Sequence, residues 1–358
     1  MNPPAGTANW TREAVFDAGA VPFRMCHAST LAEVSPGCWA AAWFGGSREG
    51  AADTAIWLAR RSEAGWTEPE RVARVRDEAH WNPVLFHDDA SGETLLFFKV
   101  GMHIPAWETW VMRSRDGGAT WSEPAELVPG DRGGRGPCKN KPLRLAGGDW
   151  LAPASLENGE WRAFVDRSGD AGRTWQASPL IPLDIDRLAA YQSGRAAGLM
   201  SGGKPTPMGV IQPALWESEP GRVHMLLRSS FGRVCRSDSE DGGRTWRAVY
   251  PTELPNNNSG IDLVRLPDGR LLLACNPVDE NWGVRTPLAV LVSDDNGATW
   301  GRAAVLEDEP AQPDQRPEFS YPSIVCGSTG PALVYTRKRR EIVFAGRASS
   351  NVTQRGPG

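Results

Sequence analysis

The chain has 358 residues, among them 39 glycines and 29 prolines, and these residues exclude long helices over most of its length because they interrupt helical hydrogen bonding. A net charge of −4 without an extended basic face argues against nucleic acid as a partner. No apolar run approaches the roughly 20 residues of a membrane-spanning helix, so we expect no membrane partner either.

The start of the chain, residues 1–10, is polar and lacks the apolar core of a signal peptide. We therefore expect a cytoplasmic protein, or a periplasmic or secreted one if a leader precedes Met1. The six cysteines form no C-x-x-C pair and are interpreted as buried thiols. The spacing of cysteine and histidine predicts no metal site, and we expect no cofactor. The basic run 337–340 is predicted to cap a hairpin turn.

One octapeptide pattern, Ser-x-Asp-x-Gly-x-Thr-Trp, recurs along the chain. Complete copies begin at Ser114, Ser168, Ser239 and Ser293, and a degenerate copy covers residues 61–67. The closing tryptophans lie about 54 residues apart, except for about 71 between Trp175 and Trp246. An Asp that accepts backbone N–H groups and a Gly at positive φ are typical of a tight turn, and alternating apolar residues lead into it. Each copy therefore predicts the turn of a β-hairpin.

A hairpin about every 54 residues leaves room for two further strands, and four antiparallel strands make one blade of a β-propeller. Dividing the length by this period gives about 6.6 repeats, so we predict an all-β, six-bladed β-propeller in a single domain, 1–358. The longer repeat contains a segment rich in Gly, Ser and Ala, residues 188–207, which is predicted to be a long loop. The tails 1–12 and 347–358 are expected to be flexible.

The octapeptide is identified as the Asp box of the sialidase (neuraminidase) superfamily. Short polar strings at the predicted blade starts, such as Trp81-Asn82-Pro83, resemble those of BNR-repeat sialidase-like proteins, and this resemblance covers nearly the whole chain. It implies a sialidase-like propeller whose boxes lie on the rim, away from the active site.

Four arginines match positions at which sialidases bind their substrate. Arg24 stands in an early Phe-Arg motif that lacks the family's proline, and Arg48 follows in a loop after the next two strands. Arg228 lies on a strand that leads to a box, and Arg285 precedes the strand that enters the last box. The resemblance implies that Arg24, Arg228 and Arg285 bind the substrate carboxylate. Guanidinium groups suit this task because they bind carboxylates bidentately and keep their charge.

The resemblance also implies the reacting groups. Asp53 matches the general acid and base, and Tyr321 matches the nucleophile. A neutral phenol avoids repulsion by the carboxylate next to the anomeric carbon, and sialidases are the known tyrosine exception among glycosidases. Gln212 stands where sialidases carry the glutamate that takes the tyrosine's proton, and an amide cannot act as a base. Glu318 and Glu217 are the alternatives for that role.

Further polar residues stand at the predicted starts of innermost strands, where side chains point into the central channel. We count His27 among the catalytic candidates, and Asn82, Lys139 and Gln212 among the substrate-binding ones. A structural role as a hydrogen-bonded histidine is also open for His27, and at most one of Lys139 and Lys141 is expected to face the site. Residues 256–259, at the start of the fifth blade, are interpreted either as channel residues or as the turn before a strand. Trp43, Trp107 and Trp282 are candidate platforms for a sugar ring.

The resemblance favours an exo-acting glycoside hydrolase that removes a terminal acidic sugar, sialic acid or a related one, from a glycan. One alternative is a polysaccharide lyase or other hydrolase acting on uronic-acid glycans, with His27, Tyr321 or a lysine exchanging the proton. The other is a glycan-binding propeller without catalytic activity. In each case the expected partner is an acidic oligosaccharide.

Overall fold

The computed structural model describes residues 10–190, 200–201, 204–205, 208–312 and 316–347. Six antiparallel sheets follow one another along the chain, and each forms one blade of a propeller. In the first five blades strand order follows chain order, so the first strand lines the channel and the last lies at the rim, and the sixth blade takes its outermost strand from the start of the chain. The prediction of an all-β, six-bladed β-propeller is confirmed.

The first half of the chain forms three blades after an initial strand, β1 (Trp10–Ala14). Blade 1 contains β2 (Met25–Ser35), β3 (Cys38–Gly46), β4 (Ala55–Ser62), β5 (Gly65–Trp66) and β6 (Glu70–Ala73). Blade 2 contains β7 (His80–Asp88), β8 (Glu93–Val100), β9 (Glu108–Ser114) and β10 (Ala125–Glu126), with a 3-10 turn at Ile104–Ala106. Blade 3 contains β11 (Leu143–Arg144), β12 (Trp150–Asn158), β13 (Glu160–Ser168) and β14 (Gln176–Ala177).

The helix α1 (Ile185–Ala189) and a short hairpin, β15 (Met200–Ser201) and β16 (Lys204–Pro205), precede the second half. Blade 4 contains β17 (Val210–Glu219), β18 (Arg222–Ser229), β19 (Arg233–Ser239) and β20 (Tyr250–Pro255). Blade 5 contains β21 (Asp262–Arg265), β22 (Leu271–Cys275), β23 (Leu288–Ser293) and β24 (Gly301–Glu307). Blade 6 contains β25 (Phe319–Gly327), β26 (Gly330–Arg337) and β27 (Glu341–Arg347).

The first strand of the chain completes the last blade. Strand β1 pairs antiparallel with β27, from Trp10 opposite Arg347 to Ala14 opposite Val343. The expectation of a flexible tail over residues 1–12 is therefore wrong from Trp10 onward, because these residues cover the edge of β27, which would otherwise present unpaired backbone groups. Residues 1–9 and 348–358 lie outside the described residues.

The predicted long loop at 188–207 begins with the end of α1 and contains the β15–β16 hairpin. The rest of this segment, residues 191–199, 202–203 and 206–207, lies outside the described residues. None of the helices in the described ranges is long and apolar enough to cross a membrane.

The four octapeptides form turns between the third and fourth strands of blades 2 to 5. In blade 3, the Asp170 carboxylate accepts hydrogen bonds from the Thr174 backbone nitrogen at 2.9 Å and the Thr174 hydroxyl at 2.6 Å. Gly172 adopts φ +72° over Trp150, and a Cβ on it would lie 2.8 Å from that ring. Because strands alternate in direction, these turns lie on the face opposite the starts of the innermost strands.

Apolar side chains pack between neighbouring blades, as where Trp216 in blade 4 packs in one cluster with Leu263 and Leu273 of blade 5.

Four of the six cysteines are buried, whereas Cys38 and Cys326 are half-buried, and all six are free thiols. The interpretation as buried thiols thus holds for four of them.

Carboxylates also join the blades on the Asp-box face. The Glu33 carboxylate accepts hydrogen bonds from the Ser328 backbone nitrogen at 2.6 Å and the Ser328 hydroxyl at 2.7 Å, which ties blade 1 to blade 6. Glu217 repeats the arrangement, since it accepts a hydrogen bond from the Ala146 nitrogen of blade 3 at 2.7 Å. Glu33 therefore acts where the ring closes.

We expect Glu33→Gln to lower the free energy of unfolding by about 1–3 kcal/mol, because an amide loses the charge-assisted hydrogen bonds to Ser328. Urea unfolding, followed by tryptophan fluorescence, measures this change in the free energy of unfolding. The matched control is Glu63→Gln at an exposed position in the β4–β5 turn, for which we expect a change below about 0.5 kcal/mol. Equal stability of the two variants would contradict a role for Glu33 in closing the ring.

Candidate active site

One residue near the start of each innermost strand adopts a left-handed backbone conformation. These six residues are Ala28, Asn82, Lys139, Gln212, Asn258 and Tyr321, with φ between 42° and 74°. In blades 1, 2, 4 and 6 the pairing of the first two strands shifts register at this point. Non-glycine residues rarely adopt positive φ, and such strain is concentrated at functional sites. The repeated irregularity therefore marks one level of the channel as the candidate site.

Tyr321 lies at the centre of this level, and only 9% of its surface is exposed. Its phenolic oxygen accepts a hydrogen bond of 2.7 Å from Nη1 of Arg228. The guanidinium carbons of Arg228 and Arg285 lie 5.8 and 5.4 Å from the centre of its ring. The structure thus brings together three of the predicted residues, which come from blades 4, 5 and 6.

Arg228 is 3% exposed and is held from several directions. Its Nε donates to Oδ1 of Asn258 at 2.8 Å, and its Nη1 also donates to Oε1 of Gln212 at 3.2 Å. The rings of Trp161 and Trp282 lie 5.3 and 5.6 Å from its guanidinium carbon. Its hydrogen-bond partners among the described residues are all neutral, so no directly bonded carboxylate there cancels its charge.

Glu318 accepts hydrogen bonds from two arginines. Arg285 donates at 2.6 Å, and Arg339 donates at 2.9 Å from the turn between β26 and β27. Burial by itself would raise the pKa of Glu318, but the nearby positive charges, first that of Arg285, outweigh it and hold the pKa well below its usual range. Glu318 is therefore ionised at neutral pH and is unsuited to accept a proton from Tyr321.

His27 packs against Tyr321, with the two ring centres 4.3 Å apart. Its Nδ1 lies 3.1 Å from the hydroxyl oxygen of Thr336. Burial lowers the pKa of His27 well below its ordinary value, and the positive charge of Arg339 lowers it further. The imidazole is therefore neutral at neutral pH. Its role in the site is either to pack against Tyr321 or to act as a weak proton acceptor.

The loop 47–54 between β3 and β4 carries two predicted residues, Arg48 and Asp53, at exposed positions. The Asp53 carboxylate accepts hydrogen bonds from the backbone nitrogen and hydroxyl of Ser47, at 3.0 and 2.9 Å. Glu49 in the same loop forms an ion pair with Arg339, which joins the loop to blade 6. Asp53 thus lies on the same face of the propeller as Tyr321, on a loop that is held to the arginine cluster.

Arg24 is exposed just before β2, and its backbone nitrogen donates to the carbonyl oxygen of Gly46 at 3.0 Å. No contact of its side chain with the cluster is found among the described residues. Whether Arg24 binds the substrate together with Arg228 and Arg285 stays a prediction. The group that blade 1 places against Tyr321 is His27, because β2 reaches the channel three residues later.

Lys139 and Asn82 are held by other parts of the protein. The Lys139 ammonium donates to Oδ1 of Asn140 at 3.0 Å, to the carbonyl oxygen of Ile261 at 3.1 Å and to that of Pro322, so it joins three blades across the channel. Burial lowers the pKa of Lys139 to about 7, against the raising effect of Asp262. Asn82 donates to Sγ of Cys138 at 3.4 Å.

Two residues of the site, Arg339 and Trp161, were not predicted from the sequence, whereas Asn258 lies within residues 256–259, which were considered as channel residues. Arg339 lies in the run 337–340, which was correctly placed at a hairpin turn but without a role in the site. Of the three candidate sugar platforms, Trp43 and Trp107 are buried, whereas Trp282 is 38% exposed.

A depression of about 1010 Å³ opens on the opposite face of the propeller. It is lined by the turns between first and second strands, and charged side chains there, such as Lys141 with Asp262 and Glu33 with Ser328, are already paired. Glu217, one of the two alternatives for the base, lines this depression and therefore lies on the face opposite Tyr321, whereas the other predicted site residues are not among its lining residues. No group of three or more histidine, cysteine, aspartate or glutamate residues that could hold a metal occurs in the described ranges.

Because the pKa of Glu318 is lower in the folded chain than its ordinary value, its ionised form stabilises the fold above that ordinary value, and the contribution is lost as the pH falls. We expect Glu318→Gln to reduce the free energy of unfolding by about 2 kcal/mol at neutral pH. The difference from the wild type should shrink as the pH is lowered through the acidic range, as measured by urea unfolding. Glu309→Gln, which removes an exposed ion pair with Lys338, serves as the control and should change little. A difference independent of pH would contradict this assignment.

Known proteins similar to this chain have the same propeller fold. The profile of the BNR repeat-like domain family matches residues 37–334. Among curated proteins, a search finds no match.

Three solved structures illustrate the similarity. A protein of unknown function from Dyadobacter fermentans is 17% identical, with a TM-score of 0.69 over 93% of this chain and 96% of that one. NanB sialidase from Streptococcus pneumoniae is 12% identical, with a TM-score of 0.68 over 94% and 69% of the two chains. Trypanosoma rangeli sialidase is 13% identical, with a TM-score of 0.68, and the match covers 96% of this chain but 60% of that one. At such identities the similarity shows a shared fold. The profile match, which covers most of the chain, shows that this chain belongs to the BNR repeat-like domain family, and its fold is that of the sialidase propellers.

Proposed function

We propose that this protein is a glycoside hydrolase that removes a terminal acidic sugar from a glycan, with Tyr321 as its nucleophile. The observation that carries this proposal is the position of the Tyr321 phenol, which is bound by Arg228 and flanked by the guanidinium groups of Arg228 and Arg285. Two cations beside a hydroxyl group stabilise negative charge on its oxygen. This stabilisation activates the hydroxyl group as a nucleophile.

The charge of the cluster favours an anionic sugar. Three guanidinium groups, those of Arg228, Arg285 and Arg339, face two carboxylates, those of Glu318 and Glu49. Arg228 bonds only to neutral acceptors among the described residues, so no bonded carboxylate there neutralises its charge. One carboxylate from a sialic or uronic acid would balance the cluster, and a guanidinium binds it in a planar, bidentate manner.

The remaining roles follow from positions around Tyr321. Asp53, on its exposed loop, would protonate the leaving oxygen and later activate water. Trp282 is exposed beside Arg228, where an apolar sugar face can pack against it. Asn258 and Gln212 orient Arg228, so they act on the substrate through that arginine.

A lyase acting on uronic-acid glycans is the second candidate. It is favoured by Gln212, because no carboxylate among the described residues hydrogen-bonds to the Tyr321 phenol, whereas a neutral His27 packs against its ring. In such a reaction the arginines would neutralise the substrate carboxylate and a side chain would remove the neighbouring proton. The product would carry a carbon–carbon double bond.

We expect the purified protein to release sugar from a panel of fluorogenic sialosides and uronosides, and Tyr321→Phe to lower kcat/KM at least about 1,000-fold, because the attacking oxygen is removed. The matched control is Tyr250→Phe, whose hydroxyl donates to Asp238 in blade 4 away from the site, and it should keep its activity. Released monosaccharide is measured together with ultraviolet absorbance.

Unsaturated product formed from uronate-containing glycans would instead establish the lyase. Binding of the glycans without turnover, unchanged by Asp53→Asn, would establish a non-catalytic glycan-binding propeller. Both results would overturn the hydrolase proposal.

A further inference from the structure

Blade 4 carries a histidine–aspartate pair in the middle of its sheet. His224 on β18 stands directly opposite Asp238 on β19, and Nδ1 of His224 lies 2.6 Å from Oδ1 of Asp238. At the same positions, the other blades with a complete octapeptide pair a leucine with an arginine or a valine, namely Leu95 with Arg113, Leu151 with Arg167 and Leu272 with Val292. The pair is therefore not part of the repeat that builds the blades.

A serine completes this group of side chains. Oγ of Ser218 lies 2.7 Å from Nε2 of His224. Ser218 stands near the end of β17, where the pairing with β18 shifts register between Glu217 and Glu219. Because a carboxylate only accepts hydrogen bonds, Nδ1 carries the hydrogen, and Nε2 of the neutral imidazole presents its lone pair to the Ser218 hydroxyl. Serine, histidine and aspartate are thus connected as in the catalytic triad of serine hydrolases.

The imidazole and the carboxylate are each held in place. The ring of His224 stacks on that of Trp216, with the ring centres 4.9 Å apart. The Asp238 carboxylate also accepts hydrogen bonds from Nε of Arg236 at 2.9 Å and from the Tyr250 hydroxyl at 2.7 Å. Burial by itself would raise the pKa of Asp238, but its hydrogen bonds, first that with His224, outweigh burial and hold the pKa well below its usual range. Asp238 is therefore ionised and keeps the hydrogen on Nδ1.

Asn296 of blade 5 brings an amide donor to the same place. Its Oδ1 accepts a hydrogen bond of 2.7 Å from Nε1 of Trp216, so its Nδ2 is turned toward His224 and lies 3.3 Å from Nε2. The other complete octapeptides carry glycine or alanine at this position, namely Gly117, Ala171 and Gly242. An amide N–H group close to an attacking oxygen is the kind of donor that stabilises an oxyanion.

These groups border a depression of about 300 Å³ on the face opposite Tyr321. Ser218 and Asn296 line it, and Ser218 is only half-buried, so it borders solvent. Every other residue of the lining is charged, apart from Gly269. A long acyl chain would find no apolar surface there, whereas a short acyl group on a polar alcohol suits such a lining.

We propose that Ser218 and His224 form a second catalytic site, which hydrolyses a short-chain carboxylic ester of a polar alcohol. This activity is separate from the proposed glycoside hydrolase and does not involve Tyr321. Ser218 is the nucleophile, and His224 is first the general base and then the general acid. Asp238 is a positioning residue that acts through His224, and Asn296 donates to the oxyanion.

The reaction balances with these groups. The Ser218 oxygen bonds to the carbonyl carbon of the ester, and its proton goes to Nε2 of His224. The bond between this carbon and the alcohol oxygen then breaks, and the alcohol leaves with the proton from His224. Water attacks the carbonyl carbon of the acyl-serine and gives a proton to Nε2. The bond to Ser218 breaks, its oxygen takes that proton back, and the carboxylic acid is released.

The first test compares para-nitrophenyl acetate with para-nitrophenyl octanoate. We expect the wild type to hydrolyse the acetate with the higher kcat/KM, and Ser218→Ala to lower this kcat/KM at least about 100-fold. Asp238→Asn should lower kcat at least about tenfold with little change in KM, because a neutral amide does not stabilise the imidazolium that forms. The control is Ser91→Ala in the corresponding hairpin of blade 2, whose exposed hydroxyl binds Asp88 and no imidazole, and it should match the wild type.

The second test detects the reactive serine without turnover. A fluorophosphonate forms a phosphorus–oxygen bond with an activated serine, which releases fluoride and transfers the serine proton to the histidine. Mass spectrometry should find a single adduct, on Ser218, in the wild type and in Ser91→Ala. His224→Ala should abolish the adduct, and urea unfolding checks that this variant is folded. Ser218→Ala, at a half-buried position near a strand end, gives the same readout if His224→Ala does not fold.

The outcomes separate the two proposals. Acetate hydrolysis and labelling that persist in Ser218→Ala would overturn the second site, and so would a wild type that is neither labelled nor active on the acetate. The side chains would then serve only to join blade 4 to the octapeptide turn of blade 5. Glycan cleavage tests the first proposal by itself, because Tyr321→Phe should remove it and leave acetate hydrolysis unchanged.

Discussion

Closure of the ring is the constraint on which the site depends. The groups that meet around Tyr321 come from blade 1 (His27), blade 4 (Arg228), blade 5 (Arg285) and blade 6 (Glu318), so none of these contacts exists unless all blades are in register. Strand β1 closes the ring by pairing with β27, and Glu33 bonds the first blade to the last on the opposite face. Long-range pairing of this kind lowers the conformational entropy of the whole chain. Burial of apolar surface between the blades offsets this free-energy cost.

Enclosing one buried and two half-buried guanidinium groups in one channel requires partners for each, because an unpaired buried charge is very costly. The protein solves this in two ways. Arg285 and Arg339 share the carboxylate of Glu318, whereas Arg228 is bound by the neutral oxygens of Gln212, Asn258 and Tyr321. The first arrangement holds a loop and a turn in place, and the second leaves a cation free to attract an anion.

Gln212 has a physical consequence beyond the loss of a base. A glutamate at this position would form an ion pair with Arg228 and neutralise it, whereas the amide only orients it. The same substitution leaves the phenol without a carboxylate of normal hydrogen-bond geometry among the described residues. A glycosidase with this arrangement needs its proton acceptor elsewhere, and the firmly ionised Glu318 is unsuited to that role.

The spacing of the octapeptides was enough to predict the blades, because a turn motif and its period are local properties of the sequence. The family resemblance also pointed to Tyr321, Arg228 and Arg285, and the structure brings these three residues together, while their roles stay predictions. Only the tertiary structure decided that His27 is the blade 1 residue that packs against Tyr321 and that Arg339 joins the cluster. These contacts depend on where each strand enters the channel and on which loops meet across blades, and neither is encoded in any short segment of the chain.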